Sequence, residues 1–112
     1  MYNYMNSIKF CGNSLKSIRN FPPAVKRAVG HQLDRVQRGL DPVDWKPMYV
    51  VGKGVKEIRI SLNGQFRVLY AIGPEQKILV LHAFQKKSQK TAKHDINQAK
   101  NTLKATTGRW LA

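Results

Sequence analysis

The sequence predicts a small α+β domain: an N-terminal strand, a helical hairpin, a three-stranded antiparallel meander and a C-terminal helix. Three observations predict it. Apolar residues recur with helical spacing between residues 15 and 40, they alternate or run together in short β-like stretches between 55 and 84, and an Asn63-Gly64 pair separates two of those stretches. At 112 residues with 42% hydrophobic content, the chain suits one domain over 1–112, its core about 7–105, because a single domain commonly has ~100–150 residues.

Ser7-Ile8-Lys9-Phe10-Cys11 alternates polar and apolar as a short strand does, and Gly12-Asn13-Ser14 supplies a turn and a helix N-cap. Leu15, Ile18 and Phe21 share one face of a short helix, which Pro22-Pro23 separates from a longer one, since a residue before proline is driven out of the helical region. The longer helix carries Val25, Val29, Leu33, Val36 and Leu40 on its apolar side and Lys26, Arg27, Arg35 and Arg38 on the other, with Gly39 placed to end it. Two prolines and two glycines make 41–54 a connecting loop, anchored by Trp45.

The meander follows. Residues 55–61 and 65–72 flank Asn63-Gly64, the strongest two-residue hairpin signal. Gly73-Pro74-Glu75 turns the chain into a strand from Lys77 to Phe84, and Thr91 is placed to cap a last helix with Ile96, Ala99 and Leu103 on its apolar side. In this arrangement the helical hairpin covers one sheet face and leaves the other for work.

The charge narrows the function. Twenty Lys+Arg against six Asp+Glu give +14 at pH 7, and each half of the chain carries ten of the cations and three of the acids. Such a folded cationic body favours polyanions: nucleic acid, a ribosome or an anionic membrane. One cysteine, Cys11, excludes an intramolecular disulfide and a cysteine-based zinc site. With no signal-peptide pattern and no ~18-residue apolar span, a cytoplasmic protein without a membrane partner is expected. Histidines at metal-ligand spacing and the GxSxG, P-loop and HExxH patterns are lacking, so no cofactor is expected and the remaining chemistry is that of phosphate.

Period-2 alternation sorts the strand residues. Lys56, Ile58, Ile60 and Leu62 share one face, as do Phe66, Val68, Tyr70 and Ile72 on the next strand. Glu57, Arg59, Ser61 and Arg67 fall on the other. Arg59 and Arg67 are then either members of surface ion pairs, worth only ~0–1 kcal/mol each, or an anion site, since guanidinium presents a fixed fork of donors to phosphate. Phe84 is followed by Lys86, Lys87, Lys90 and Lys93, which favours the anion site. Phe84 itself either packs in the core or stacks a base. His82 and His94 stand near this segment as surface or core residues or as acid/base groups.

Three stretches together resemble one family: Gly52-Lys53-Gly54-Val55-Lys56-Glu57-Ile58-Arg59-Ile60, Phe66-Arg67-Val68-Leu69-Tyr70, and Leu81-His82-Ala83-Phe84-Gln85-Lys86-Lys87-Ser88-Gln89-Lys90-Thr91, with Leu40-Asp41-Pro42-Val43-Asp44-Trp45-Lys46-Pro47-Met48 upstream and Asp95-Ile96 and Ala99 downstream. They resemble the phage-derived, HigB-like branch of the RelE/ParE toxin superfamily, over nearly all of 7–105. The resemblance implies the RelE-like fold and a type II toxin that cuts mRNA in the ribosomal A site, without a metal, by attack of a ribose 2′-OH on the adjacent phosphate. It also implies a cognate antitoxin with a helix-turn-helix domain, through which alone the toxin would meet operator DNA.

By that resemblance Arg67 holds the scissile phosphate, Arg59 supports it, Lys87 stabilises the transition state or protonates the leaving group, and Lys90 contacts phosphate or ribosomal RNA. Lys53, Lys56, Phe84, Lys86 and Lys93 are further RNA contacts. Glu57 stands where RelE has a lysine, and the last helix has no tyrosine to match RelE's. Glu57, His82 and His94 remain the acid/base candidates, beside a mechanism with no dedicated base. Two other functions stay open: a ParE-like toxin that binds gyrase, and a phage or mobile-element accessory protein that binds RNA without cutting it.

Overall fold

The structure, a computed structural model, describes residues 5–111; the outer limits of the expected 1–112 domain lie outside them. The apolar stretches close into one five-stranded sheet. Its strands are β1 (Ile8–Phe10), β2 (Trp45–Pro47), β3 (Lys56–Ser61), β4 (Gln65–Ile72) and β5 (Ile78–Lys86), in the order β1-β5-β4-β3-β2. β1 runs parallel to β5, and every other neighbouring pair is antiparallel. Helices α1 (Ser14–Arg19) and α2 (Pro23–Gln37) connect β1 to β2, and α3 (Lys93–Leu111) follows β5.

One sheet face buries Ile58, Ile60, Phe66, Val68 and Tyr70 against Ile18, Phe21, Val25, Val29, Leu33 and Val36 of the hairpin. Phe21 meets Phe66 edge to face at 4.9 Å between centroids, the arrangement aromatic quadrupoles favour. Proline at the start of α2 fixes its entry. At its end Gly39 takes φ +83° and donates to Val36 O while Leu40 donates to Arg35 O, both at 3.0 Å. This paired C-terminal closure needs the left-handed conformation that glycine adopts freely.

The second face is not left open. Leu69, Ala71, Leu79 and Leu81 are covered by Ile96, Ala99 and Leu103 of α3 and by Met48, Val51 and Val55 of the preceding loop. A Cβ on Gly52 would lie 2.6 Å from Leu103, so glycine is what lets that loop reach α3. In β5 the register slips so that Leu69 faces His82 but Tyr70 faces Val80, leaving Leu81 as the extra residue of a bulge. Covering only part of this face, α3 leaves the end carrying Arg59, Ser61, Gln65, Arg67 and Lys86 outside the apolar cluster.

Several local expectations are corrected. The 41–54 loop contains β2, an edge strand in which Pro47 costs no sheet bond because edge positions tolerate the missing N–H. Strands β3 and β4 pair Ser61 with Gln65, so the turn holds three residues, and Asn63 (φ 52°) and Gly64 (φ 144°) both take positive φ. Ser14 does not cap α1: its hydroxyl donates to Val80 O at 3.1 Å and is fully buried, tying the helix to β5. Thr91 likewise donates to Glu57 at 3.5 Å, and α3 begins two residues later. Leu40 and Leu62 continue apolar patterns past the ends of their elements, Ile72 is the last residue of β4, and all three are exposed.

Ile58 is fully buried and Val43 is 71% exposed. Ile58→Ala is predicted to lower the unfolding free energy by ~2–5 kcal/mol and Val43→Ala by less than ~0.5 kcal/mol, measured by chemical denaturation.

Candidate nucleic-acid interface

The antiparallel register sets Arg59 directly opposite Arg67. Like charges facing each other across strands are destabilising, and the local structure shows what offsets them. Glu57 lies on the same face two residues before Arg59. It is fully buried, and its Oε1 lies 3.7 Å from Arg67 Nε and 3.8 Å from Lys46 Nζ. Lys46 arrives from β2, whose register places it opposite Glu57. Arg59 faces Asp44 Oδ1 at 4.0 Å.

Arg67 is only 3% exposed. Its Nη1 donates to Phe66 O at 2.9 Å, and Gln65 Oε1 accepts longer bonds of 3.4 Å from both terminal nitrogens. Nε of Arg67 and Oε1 of Glu57 form no hydrogen bond in the chain; they are held by charge alone. Burial draws the Arg67 guanidinium below the usual arginine range, Glu57 opposes that shift, and Arg59 adds to it. Lys86 is also lowered, first by desolvation and then by Arg67.

Beside the pair lies an open groove of about 450 Å³, lined by Gln65, Arg67, Lys86, Lys87, Ser88 and Gln89. The expected site residues divide around it. Arg67, Lys86 and Lys87 line it, and Arg59 flanks it as the cross-strand partner of Arg67. Lys90 is exposed in the connection to α3, which Lys93 opens; neither lines the groove. Lys56 is on the opposite sheet face, paired to Asp41 at 2.7 Å and lying 4.5 Å from the Trp45 ring centre. Lys53 is exposed beside it in a separate hollow with Trp45 and Tyr49. Neither is brought to the arginine pair.

Phe84 is largely enclosed and lies apart from the arginine groove. It is 8% exposed, packed in the cluster under α3 and stacked on His82 at 5.3 Å. His82 in turn hydrogen-bonds Asp95 Oδ1 at 2.7 Å, tying β5 to the first turn of α3, while His94 is 84% exposed on that turn. Glu57, an acid/base candidate by its chemistry, is enclosed as the counter-ion of Arg67 and Lys46. Lys46 was not legible from alternation, because its place opposite Glu57 depends on a strand pairing that the Pro47-containing stretch does not announce. Among the described residues no group of three or more His, Cys, Asp or Glu is arranged to hold a metal, and no helix is long and apolar enough to cross a membrane.

Comparison with known families gives one decisive match. The family described as phage derived protein Gp49-like (DUF891) matches residues 16–104. The chain belongs to this Gp49-like family. A chain of the crystal structure of the toxin–antitoxin complex RelBE2 from Mycobacterium tuberculosis is similar in structure, with a TM-score of 0.54 and 20% sequence identity, over 78% of this chain and 98% of that one. At that identity the likeness is one of fold, and the RelE-like fold implied by the sequence is shown. No curated protein matches the sequence.

Truncating one member of a buried ion pair leaves an uncompensated charge, costing ~3–5 kcal/mol, whereas an exposed pair is worth ~0–1 kcal/mol. Glu57→Ala is therefore predicted to destabilise this Gp49-like protein by ~3–5 kcal/mol and Lys46→Ala by less than ~1 kcal/mol. Thermal and denaturant unfolding of both variants checks the contrast.

Proposed function

We propose that the chain is the toxin of a toxin–antitoxin pair and an endoribonuclease that cuts mRNA on the ribosome. The observation that carries this reading is the Arg59–Arg67 cross-strand pair, set over a buried Glu57 and opening onto a groove with Lys86 and Lys87. The RelE-like fold and the family's phage-derived character support it. RNA supplies its own nucleophile, the 2′-OH. A site that cleaves it has to hold the phosphodiester in line and stabilise negative charge on the phosphorane and the leaving 5′-oxygen.

In this reading Arg67, locked by Glu57, is the fixed electrostatic floor, and Arg59 takes a non-bridging oxygen of the scissile phosphate. Lys87, exposed at the rim, is free to approach the leaving oxygen as its charge develops. No metal is required. Glu57 is committed to its cations, so the 2′-OH proton passes to solvent water as the O2′–P bond forms, and Lys87 gives a proton to the 5′-oxygen as the P–O5′ bond breaks. The partner in this pair is an antitoxin that covers the cationic face with acidic or closely packed segments. The unpaired lysines elsewhere serve docking on ribosomal RNA, and the protein acts in the cytoplasm.

Lys87→Ala, at an exposed position, is predicted to leave stability unchanged and to reduce cleavage ~10²–10³-fold, the usual cost of losing one transition-state donor. In a translating extract the wild type is predicted to cut mRNA within the reading frame. Intact mRNA together with trapped gyrase–DNA complexes would replace this reading with a gyrase-directed one.

A further inference from the structure

A second hollow, of about 510 Å³, lies between the end of α1 and the start of α3. It falls within the ~300–1,000 Å³ range of small-ligand sites. Its apolar floor is Phe21, Phe66 and Phe84, and its walls carry Asn13, Asn20, Gln85 and Gln98, with exposed His94 beside them. The side-chain hydrogen bonds among the described residues pass all four amides by. The one carboxylate in the cleft, Asp95, is 7% exposed and bonded to His82. What the hollow offers a ligand is therefore an apolar surface ringed by neutral donors and acceptors. β1 pairs with β5 only as far as Val80, so the edge of β5 beside the cleft carries no strand.

The hollow is not isolated. It shares Gln85 and His94 with a smaller recess of about 300 Å³, which in turn shares Lys86, Lys87 and Ser88 with the groove at Arg67. Across these three adjoining hollows the lining changes from cationic at the arginine pair, through Lys86 and Lys87, to mostly neutral amides in the cleft. A polynucleotide presents the matching order: a phosphate, and beside it a flat neutral base with a hydrogen-bonding edge. Single-strand readers use this combination of charge for the backbone and neutral contacts for the base.

We propose that the α1–α3 cleft is a nucleobase pocket, holding an unpaired base of the RNA strand whose phosphate occupies the Arg67 groove. The proposal rests on the RNA-cleaving reading above and adds a base-reading element to it. Amide side chains of Asn20 and Gln98 contact the edge of the base, and the floor takes its face. Because these contacts are neutral, they contribute affinity without displacing counterions, which separates them experimentally from the lysines.

The test is binding of an unstructured 12-nucleotide RNA, read by fluorescence anisotropy across a salt series. Asn20→Ala/Gln98→Ala, both exposed positions, is expected to weaken binding about tenfold with an unchanged salt slope, while Lys87→Ala lowers that slope by about one. With the unaltered protein, an abasic oligomer of the same length is expected to bind about tenfold more weakly than the intact RNA. If the double variant binds as wild type, or the abasic strand binds as tightly as the intact one, the base pocket is overturned while the phosphate groove stands. If the wild type does not bind the free RNA, or Lys87→Ala leaves both affinity and slope unchanged, the base pocket is overturned together with the phosphate groove as a free-strand site, while cleavage in the translating extract decides the RNA-cleaving reading separately.

Discussion

The contact between Glu57 and Arg67 is the constraint on which this face of the protein depends. Two arginines opposite each other in the middle of a sheet repel, and burying one of them uncompensated would cost several kcal/mol. A fully enclosed carboxylate on the same face makes the arrangement tenable. Lys46, on the edge strand β2 opposite Glu57, lies 3.8 Å from the same carboxylate. The result is a cationic surface whose central side chain is fixed by the sheet, which is what a site working by charge and position requires.

The location of the site follows from how α3 lies. Its apolar stripe is satisfied by Leu69, Ala71, Leu79 and Leu81, and the His82–Asp95 bond secures its first turn on β5. Beyond that point the same sheet face passes from apolar to cationic, from Leu69 to Arg67 to Gln65 along β4. One sheet face is thus core at one end and cationic groove at the other. Hydrophobic coverage on one side keeps the arginine pair in a partly desolvated setting, where charge interactions are stronger than in water.

Much of this was legible in the sequence. The helical period of Val25, Val29, Leu33 and Val36, the stripe of Ile96, Ala99 and Leu103, and the alternation that put Arg59 and Arg67 on one face all appear in the structure as read. Burial was harder to see. Alternation assigns a side to Glu57 and Arg67 but does not show that Lys46 and Thr91 close over that side, because both come from segments whose placement is tertiary. Alternation left Phe84 either in the core or stacking a base, and its ring packs in the cluster under α3. Strand β2 escaped notice because three residues containing a proline carry no period, and pairing with β3 alone makes them a strand.

A double-mutant cycle between Glu57→Gln and Arg67→Met, read on unfolding free energy, tests the central contact most directly. Each change removes the charge while keeping much of the side-chain bulk, so each single variant breaks the charge pairing. A coupling energy of ~1–3 kcal/mol is predicted, as for residues in one buried network. Additivity within ~0.5 kcal/mol would contradict it, showing that Arg67 is held by the fold around it and not by Glu57.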